Sequence, residues 1–166
     1  AAASVAGIAL VYALFDLSDG PDPYTTFSLA AEMEGHPDNA AAAAFGGFTI
    51  VLDGGFVQRF EPHAGIRPIL LVPEGVRVST EETRRVLTTE VSRADAVFNH
   101  GHAALTATAM LNDPELLFVA MRDRLHEDAR LALVPQVREV FDRLRMGNVP
   151  VCVSGSGPTL LAFERD

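Results

Sequence analysis

The first sixty residues carry helical patterns of apolar positions, followed by strand-like ones. Residues 1–17 are apolar on every side, which predicts a helix buried within protein. Residues 24–34 are predicted as a second helix, which ends at Gly35 and Pro37. Phe48–Leu52 and Phe56–Phe60 are two apolar runs that flank the turn residues 53–55, a pattern typical of a β-hairpin.

The remainder of the chain again mixes both kinds of element. Ser79 and Glu82 have the spacing of a capping box, and Asp113 before Pro114 has the pattern of a helix start. Further helices are predicted over residues 79–87, 95–111, from 114 onwards and over 134–144, and further strands over 67–72, 150–153 and 159–163. A domain boundary is expected near Gly65, where the pattern changes.

Charge and composition exclude several kinds of chemistry. The formal net charge is −9, which argues against a nucleic-acid surface and against binding to anionic lipid. All thirteen basic residues are arginine, so a P-loop, a protein-kinase site or a Schiff-base site cannot be built. Cys152 stands alone, which rules out an intrachain disulfide and fits a reducing cytoplasm. The apolar start is too short to span a membrane and lacks the basic region of a signal peptide.

The segment around residues 35–39 carries polar groups that suit a small-molecule site. His36, Asp38 and Asn39 lie between a helix and a run of alanines and could orient a hydroxyl group. The alternative is that Asp38 or Asn39 only caps the following helix. Glu32 and Glu34 are two apart, so only one can face a given site. Such a glutamate could bind Mg²⁺, although an isolated one is usually solvated.

Two arginines and one glycine-rich segment complete the candidates. Arg84 follows Thr80 by one helical turn, and Arg130 comes later in the chain. If the two arginines converge on one point, they would suit the binding of a carboxylate. The alternative is that each is a surface residue or part of a structural ion pair. The segment 154–159 (SGSGPT) could let backbone N–H groups approach an anion, or be a plain hairpin turn.

In order and spacing, five segments resemble the homoserine kinases of the GHMP kinase superfamily. They are EMEGHPDN at 32–39, STEETR at 79–84, DAVFN at 95–99, DRLH at 123–126 and SGSGPT at 154–159. The resemblance implies an α+β fold, a two-layer α/β sandwich. Residues 1–63 would form the later part of the N-terminal kinase domain, and residues 64–166 most of a ferredoxin-like C-terminal domain, incomplete at its end. The family's main phosphate loop would precede Ala1, so we expect little activity from this chain alone.

The resemblance also implies roles for single residues. Glu32 would bind Mg²⁺, His36 and Asn39 would contact the acceptor, and Asp38 and Asn39 would be the catalytic pair. Thr80, Arg84 and Arg130 would hold L-homoserine, with the arginines on its carboxylate. The nucleotide side of the site would be shaped by Gly155, Ser156 and Gly157.

The function implied is ATP-dependent phosphorylation of the homoserine side-chain hydroxyl, with ATP and Mg²⁺ as cofactors, in the cytoplasm. No nucleic-acid or membrane partner is expected, and the oligomeric state, including a homodimer, stays open. Two alternatives remain: another small-molecule kinase of the superfamily, and a ligand-binding α+β domain without catalysis.

Overall fold

The computed structural model describes residues 1–15 and 20–164. The chain divides into two compact units, Ala1–Pro62 and His63–Asp166. Helices and antiparallel strands occur in both, which confirms the α+β class. No helix in the described ranges is both long and apolar enough to cross a membrane.

The first unit contains three helices followed by a hairpin. The helices are α1 (Ala2–Leu14), α2 (Pro23–Glu34) and α3 (Pro37–Phe45), and the hairpin strands are β1 (Phe48–Leu52) and β2 (Phe56–Phe60). The strands pair antiparallel with Phe48 opposite Phe60 and Leu52 opposite Phe56, as the sequence predicts. The end of the first predicted helix, at Asp16 and Leu17, and the start of the loop after it, at Ser18 and Asp19, lie outside the described residues.

The core of this unit lies between α2 and α3. Phe27 and Ala30 of α2 are buried with Ala40 and Ala41 of α3 and with Val57 of the hairpin. Alanine side chains allow the two helix backbones to approach closely, so the alanine run is explained by packing.

The prediction that α1 is a buried helix is wrong for this structure. No residue of α1 is buried, and Leu14 and Phe15 are each 69% exposed. Val5 and Ile8 do pack against the core between α2 and α3. One side of the helix therefore contacts protein, while the opposite apolar side faces solvent.

The second unit consists of a three-stranded sheet and five helices within the described residues. Its elements are β3 (Pro68–Leu71), α4 (Thr80–Arg85), α5 (Arg93–Leu111), a 3₁₀ turn (Pro114–Leu116) that runs into α6 (Leu117–Ala120), α7 (Glu127–Leu131), α8 (Pro135–Met146), β4 (Val151–Val153) and β5 (Leu160–Phe163). The strand order is β3-β5-β4, with both pairs antiparallel. The short helix α7 was not predicted from the sequence patterns.

The central strand β5 separates two hydrophobic clusters. Leu160 and Ala162 are buried with Val137 and Phe141 of α8. Phe163 is buried instead with a cluster that α5 and α6 build, and Leu161 packs against that cluster. Alternate residues of a strand point to opposite faces, so helices cover β5 on both sides. This arrangement fixes β4, and hence the turn that follows it, against α7 and α8.

Candidate functional site

The first unit carries four of the candidate residues at the junction of α2 and α3. Glu32 lies in the last turn of α2, which ends at Gly35, and Asp38 and Asn39 lie in the first turn of α3. These three side chains are exposed, and none of them makes a hydrogen bond or ion pair with the part of the chain that the structure describes. They are thus available to a ligand, and the partial positive charge of the α3 N-terminus lies beside them.

The alternative explanation of Asp38 or Asn39 as the helix cap is wrong. Helix α3 begins earlier, with His36 at the cap position and Pro37 as the first helical residue, and no side chain makes a capping hydrogen bond. Asp38 and Asn39 are already inside the first turn. Their side chains therefore do not serve the start of α3, although an acidic group in the first turn is favourable.

The two glutamates differ in what they contact. Glu34 accepts a hydrogen bond from the Ser4 hydroxyl and lies 3.0 Å from the amino group of Ala1, and these contacts lower the pKa of its carboxyl group. Glu32 has no such partner among the described residues and is solvent exposed. No group of three or more His, Cys, Asp or Glu residues that could hold a metal occurs in the described ranges. A metal bound by Glu32 would therefore need ligands other than the His, Cys, Asp and Glu side chains of the described ranges.

In the second unit, Arg130 of α7 reaches the glycine-rich turn. Its Nη1 donates a 2.6 Å hydrogen bond to the Gly155 carbonyl oxygen. Its Nε is buried and has no hydrogen-bond partner among the described atoms, next to a cavity of about 10 Å³ that Ser156 and Gly157 also line. A buried N–H without an acceptor is unfavourable, so this atom marks a place where a ligand or water oxygen would stabilise the protein.

The positive charge of Arg84 acts on the ionisation of Arg130. Burial lowers the pKa of Arg130, Asp123 opposes this effect, and the nearby positive charge of Arg84 lowers the pKa further. Arg84 is exposed on α4, on which Thr80 is the first residue, and Ser79 and Glu82 form the predicted capping box. The sequence left open whether the arginines converge on one carboxylate, and that convergence stays a prediction.

The turn between β4 and β5 has a compact backbone. The N–H of Ser154 donates to the carbonyl oxygen of Thr159, and the N–H of Gly157 donates to that of Ser154, both at 2.9 Å. These two amides are consumed by the turn, whereas those of Gly155 and Ser156 have no acceptor among the described residues. Gly157 has φ +78°, and a Cβ there would lie 3.0 Å from the Val153 side chain, so the turn needs glycine at this position.

Asp123 and Asn99, which belong to the recognised sequence segments but were not predicted as site residues, hold this region together. Asp123 Oδ1 accepts from the backbone N–H groups of Leu125, His126 and Glu127, at 2.6–2.9 Å. Its Oδ2 accepts from the Asn99 amide at 2.6 Å. Burial raises the pKa of Asp123, but these donors outweigh it and the net pKa is below the usual value. Asp123 thus fixes the start of α7, the helix that carries Arg130.

Behind α7 lies a cluster of buried ionisable groups. Glu127 is 8% exposed, and burial raises its pKa to about 7. Its Oε1 accepts from the N–H of Val153 at 3.2 Å, and its Oε2 lies 3.9 Å from Arg145 Nη2. The neighbouring thiol of Cys152 has a pKa raised to about 12, mainly by burial, so it is protonated and unreactive at neutral pH. In the sequence, Glu127 precedes Arg130 by three residues, a spacing that suggests an ion pair on a helix. That spacing would not have revealed the contact between Glu127 and Val153.

Comparison with known proteins identifies relatives over the whole chain. The homoserine kinase of Streptomyces avermitilis is 42% identical over 166 residues, which are 98% of this chain and 54% of that protein. The homoserine kinase of Mycobacterium tuberculosis is 39% identical over 175 residues, covering 100% of this chain and 55% of that protein. No family model matches the sequence.

Solved structures give the same result. The crystal structure of homoserine kinase from Cytophaga hutchinsonii matches with a TM-score of 0.87 at 27% identity, over 96% of this chain and 53% of that one. The chain thus spans about half the length of the relatives it matches. By sequence and by structure, the chain is a homologue of the homoserine kinases and corresponds to about half of their length.

Proposed function

We propose that this chain supplies the acceptor-binding part of an ATP-dependent homoserine kinase. The reaction transfers the γ-phosphoryl group of ATP to the side-chain hydroxyl of L-homoserine, giving O-phospho-L-homoserine in the cytoplasmic biosynthesis of threonine. The observation that carries the proposal is Arg130, which has a buried N–H without an acceptor among the described atoms and whose pKa the positive charge of Arg84 lowers. A ligand carboxylate would satisfy that donor and relieve the repulsion between Arg84 and Arg130.

The residues of the first unit are proposed for the reacting end of the substrate. Asn39 would contact the acceptor hydroxyl, with His36 beside it, and Asp38 would orient the hydroxyl or accept its proton. Phosphoryl transfer depends mainly on positioning and charge stabilisation, so a strong base is not required. Mg²⁺, with Glu32 as a ligand, would neutralise charge on the phosphates of bound ATP.

The residues of the second unit are proposed for recognition. Arg84 and Arg130 would grip the α-carboxylate, and Thr80 would contribute its hydroxyl from the first turn of α4. The amides of Gly155 and Ser156, together with the small profile of Gly157, would shape the side of the site that receives the nucleotide.

The proposal is tested by titrating L-homoserine into this chain and into Arg84→Ala and Arg130→Ala, with Arg143→Ala as the matched control. Arg143 is exposed on α8 and pairs with Glu139 on the same helix. Charge-assisted hydrogen bonds contribute about 1.5–3 kcal/mol each, so each site variant should weaken binding by roughly ten- to a hundred-fold. 3-Aminopropan-1-ol, which lacks the carboxylate, should bind weakly to all four proteins. If the control loses as much affinity as the site variants, or if the carboxylate-free compound binds equally well, the assignment is wrong.

A further inference from the structure

A buried carboxyl group lies behind the proposed substrate site and takes no part in the chemistry proposed above. Glu127 is the first residue of α7, and its side chain is 10% exposed. It points away from solvent toward the end of β4, where it accepts the N–H of Val153. A buried carboxyl group is costly unless its interactions are specific, so its contacts need an explanation.

The contact of Glu127 is one of a pair that joins the same two segments. Glu127 and Arg130 are three residues apart on α7 and therefore lie on neighbouring positions of one helix surface. Across from them, Val153 donates to Glu127, and Gly155 accepts from Arg130. Helix α7 is thus joined to the strand end and to the turn by two hydrogen bonds of opposite direction, about one helical turn apart.

We propose that Glu127 is a positioning residue: its carboxyl group fixes the first turn of α7 to the end of β4 and so sets where Arg130 lies relative to the turn at 154–159. Glu127 acts through Val153 and the backbone, and it does not touch the substrate. The inference rests on the proposed function only for what Arg130 binds; the attachment itself is a property of this chain.

The charge of Glu127 should change the strength of this attachment. The groups that face it are Arg145 from α8, Cys152 from β4, and Asp123 and Asp128 beside it. The carboxyl group has a pKa of about 7 because it is buried. A carboxylate accepts an N–H more strongly than the neutral acid does, so the attachment should tighten as pH rises through neutrality.

The experiment is amide NMR spectroscopy of this chain, comparing the parent with Glu127→Leu, Glu127→Gln and the control Glu139→Gln. Glu127→Leu removes the acceptor, so the Val153 amide should exchange about ten-fold faster relative to the Leu161 amide, and the Gly155 and Ser156 signals should shift. Glu127→Gln keeps an acceptor oxygen and should restore most of the protection. Glu139 is exposed and pairs with Arg143, so its variant should match the parent.

A pH titration of the parent keeps the test decisive if Glu127→Leu does not fold. The Val153 and Gly155 signals should titrate with one common midpoint, and this titration should vanish in Glu127→Gln. His126 is the competing group, with a pKa that burial lowers below 6.5. A titration that persists in Glu127→Gln and disappears in His126→Gln would overturn the proposal, as would a folded Glu127→Leu protein with unmoved turn signals.

These outcomes are separate from those that test the kinase function. Homoserine affinity should fall in Glu127→Leu and recover in Glu127→Gln, as expected for a residue that positions Arg130. If the parent chain binds no homoserine while the NMR results hold, the proposed function fails and the positioning role stands. If homoserine binds but the amide signals of Gly155 and Ser156 do not change when Glu127 is substituted, the positioning role fails.

Discussion

Removing the carboxylate of Asp123 should strongly destabilise the second unit. The side chain is only 14% exposed and accepts four hydrogen bonds, three from the backbone at the start of α7 and one from Asn99. Asp123→Ala leaves these donors without an acceptor. An unsatisfied buried donor costs about 1–3 kcal/mol, and the four are not additive, so we expect a loss of about 3–5 kcal/mol.

The amide variant separates the two halves of this network. In Asp123→Asn the remaining oxygen can still accept the three backbone N–H groups, but its new amide group meets the amide of Asn99. We expect a smaller loss of about 1–2 kcal/mol. The exchanged pair, Asn99→Asp with Asp123→Asn, again places a donor opposite an acceptor and leaves an acceptor for the Arg124 N–H. The double variant should therefore recover at least half of the free energy of unfolding that Asp123→Asn loses.

The measurement is urea unfolding followed by circular dichroism, with Asp142→Ala as the control. Asp142 is an exposed carboxylate whose contact with Arg138 should contribute less than about 1 kcal/mol. Because the native pKa of Asp123 is lowered, its contribution should be full above the unfolded pKa and should decline as pH falls through the native pKa. A loss below about 1 kcal/mol for Asp123→Ala, or no recovery in the exchanged pair, would refute the reasoning.

Three further predictions concern other parts of the chain. The raised pKa of Glu127 means that the folded state binds the proton more tightly than the unfolded state does. The free energy of unfolding should therefore fall by on the order of 3 kcal/mol as pH rises from about 4.5 to 7, and this pH dependence should be absent in Glu127→Gln. Gly157→Ala should lower the free energy of unfolding by about 1–3 kcal/mol, and by more than Gly155→Ala does. Both glycines have positive φ, but only at Gly157 would the new methyl group lie 3.0 Å from another side chain, and thermal unfolding of the two variants tests this order. The exposed apolar side of α1 should bind a hydrophobic dye, and Leu14→Glu should reduce the dye fluorescence without lowering the melting temperature.

Much of the local structure was predictable because its causes are local. The hairpin at residues 48–60 follows from two apolar runs around an Asp-Gly-Gly turn, and the capping box of Ser79 and Glu82 follows from their spacing. The apolar stripe predicted over residues 134–144 includes Val137 and Phe141, which α8 buries, but also Val140, which is 42% exposed. These features depend on residues within one turn or one hairpin of each other, which a sequence pattern contains.

The sequence by itself thus determined the strands, the helices other than α7 and the list of candidate residues, together with the resemblance that gives those residues roles. Only the tertiary structure decided that Asp123 binds Asn99 and that Glu127 meets Val153. These two contacts join residues 24 and 26 positions apart. Such contacts form because β5 and its two hydrophobic clusters bring distant segments together, and no periodicity along the chain records which side chains will meet. The same reason explains the wrong prediction for α1, since uniform apolarity shows that a helix can be buried but not what covers it.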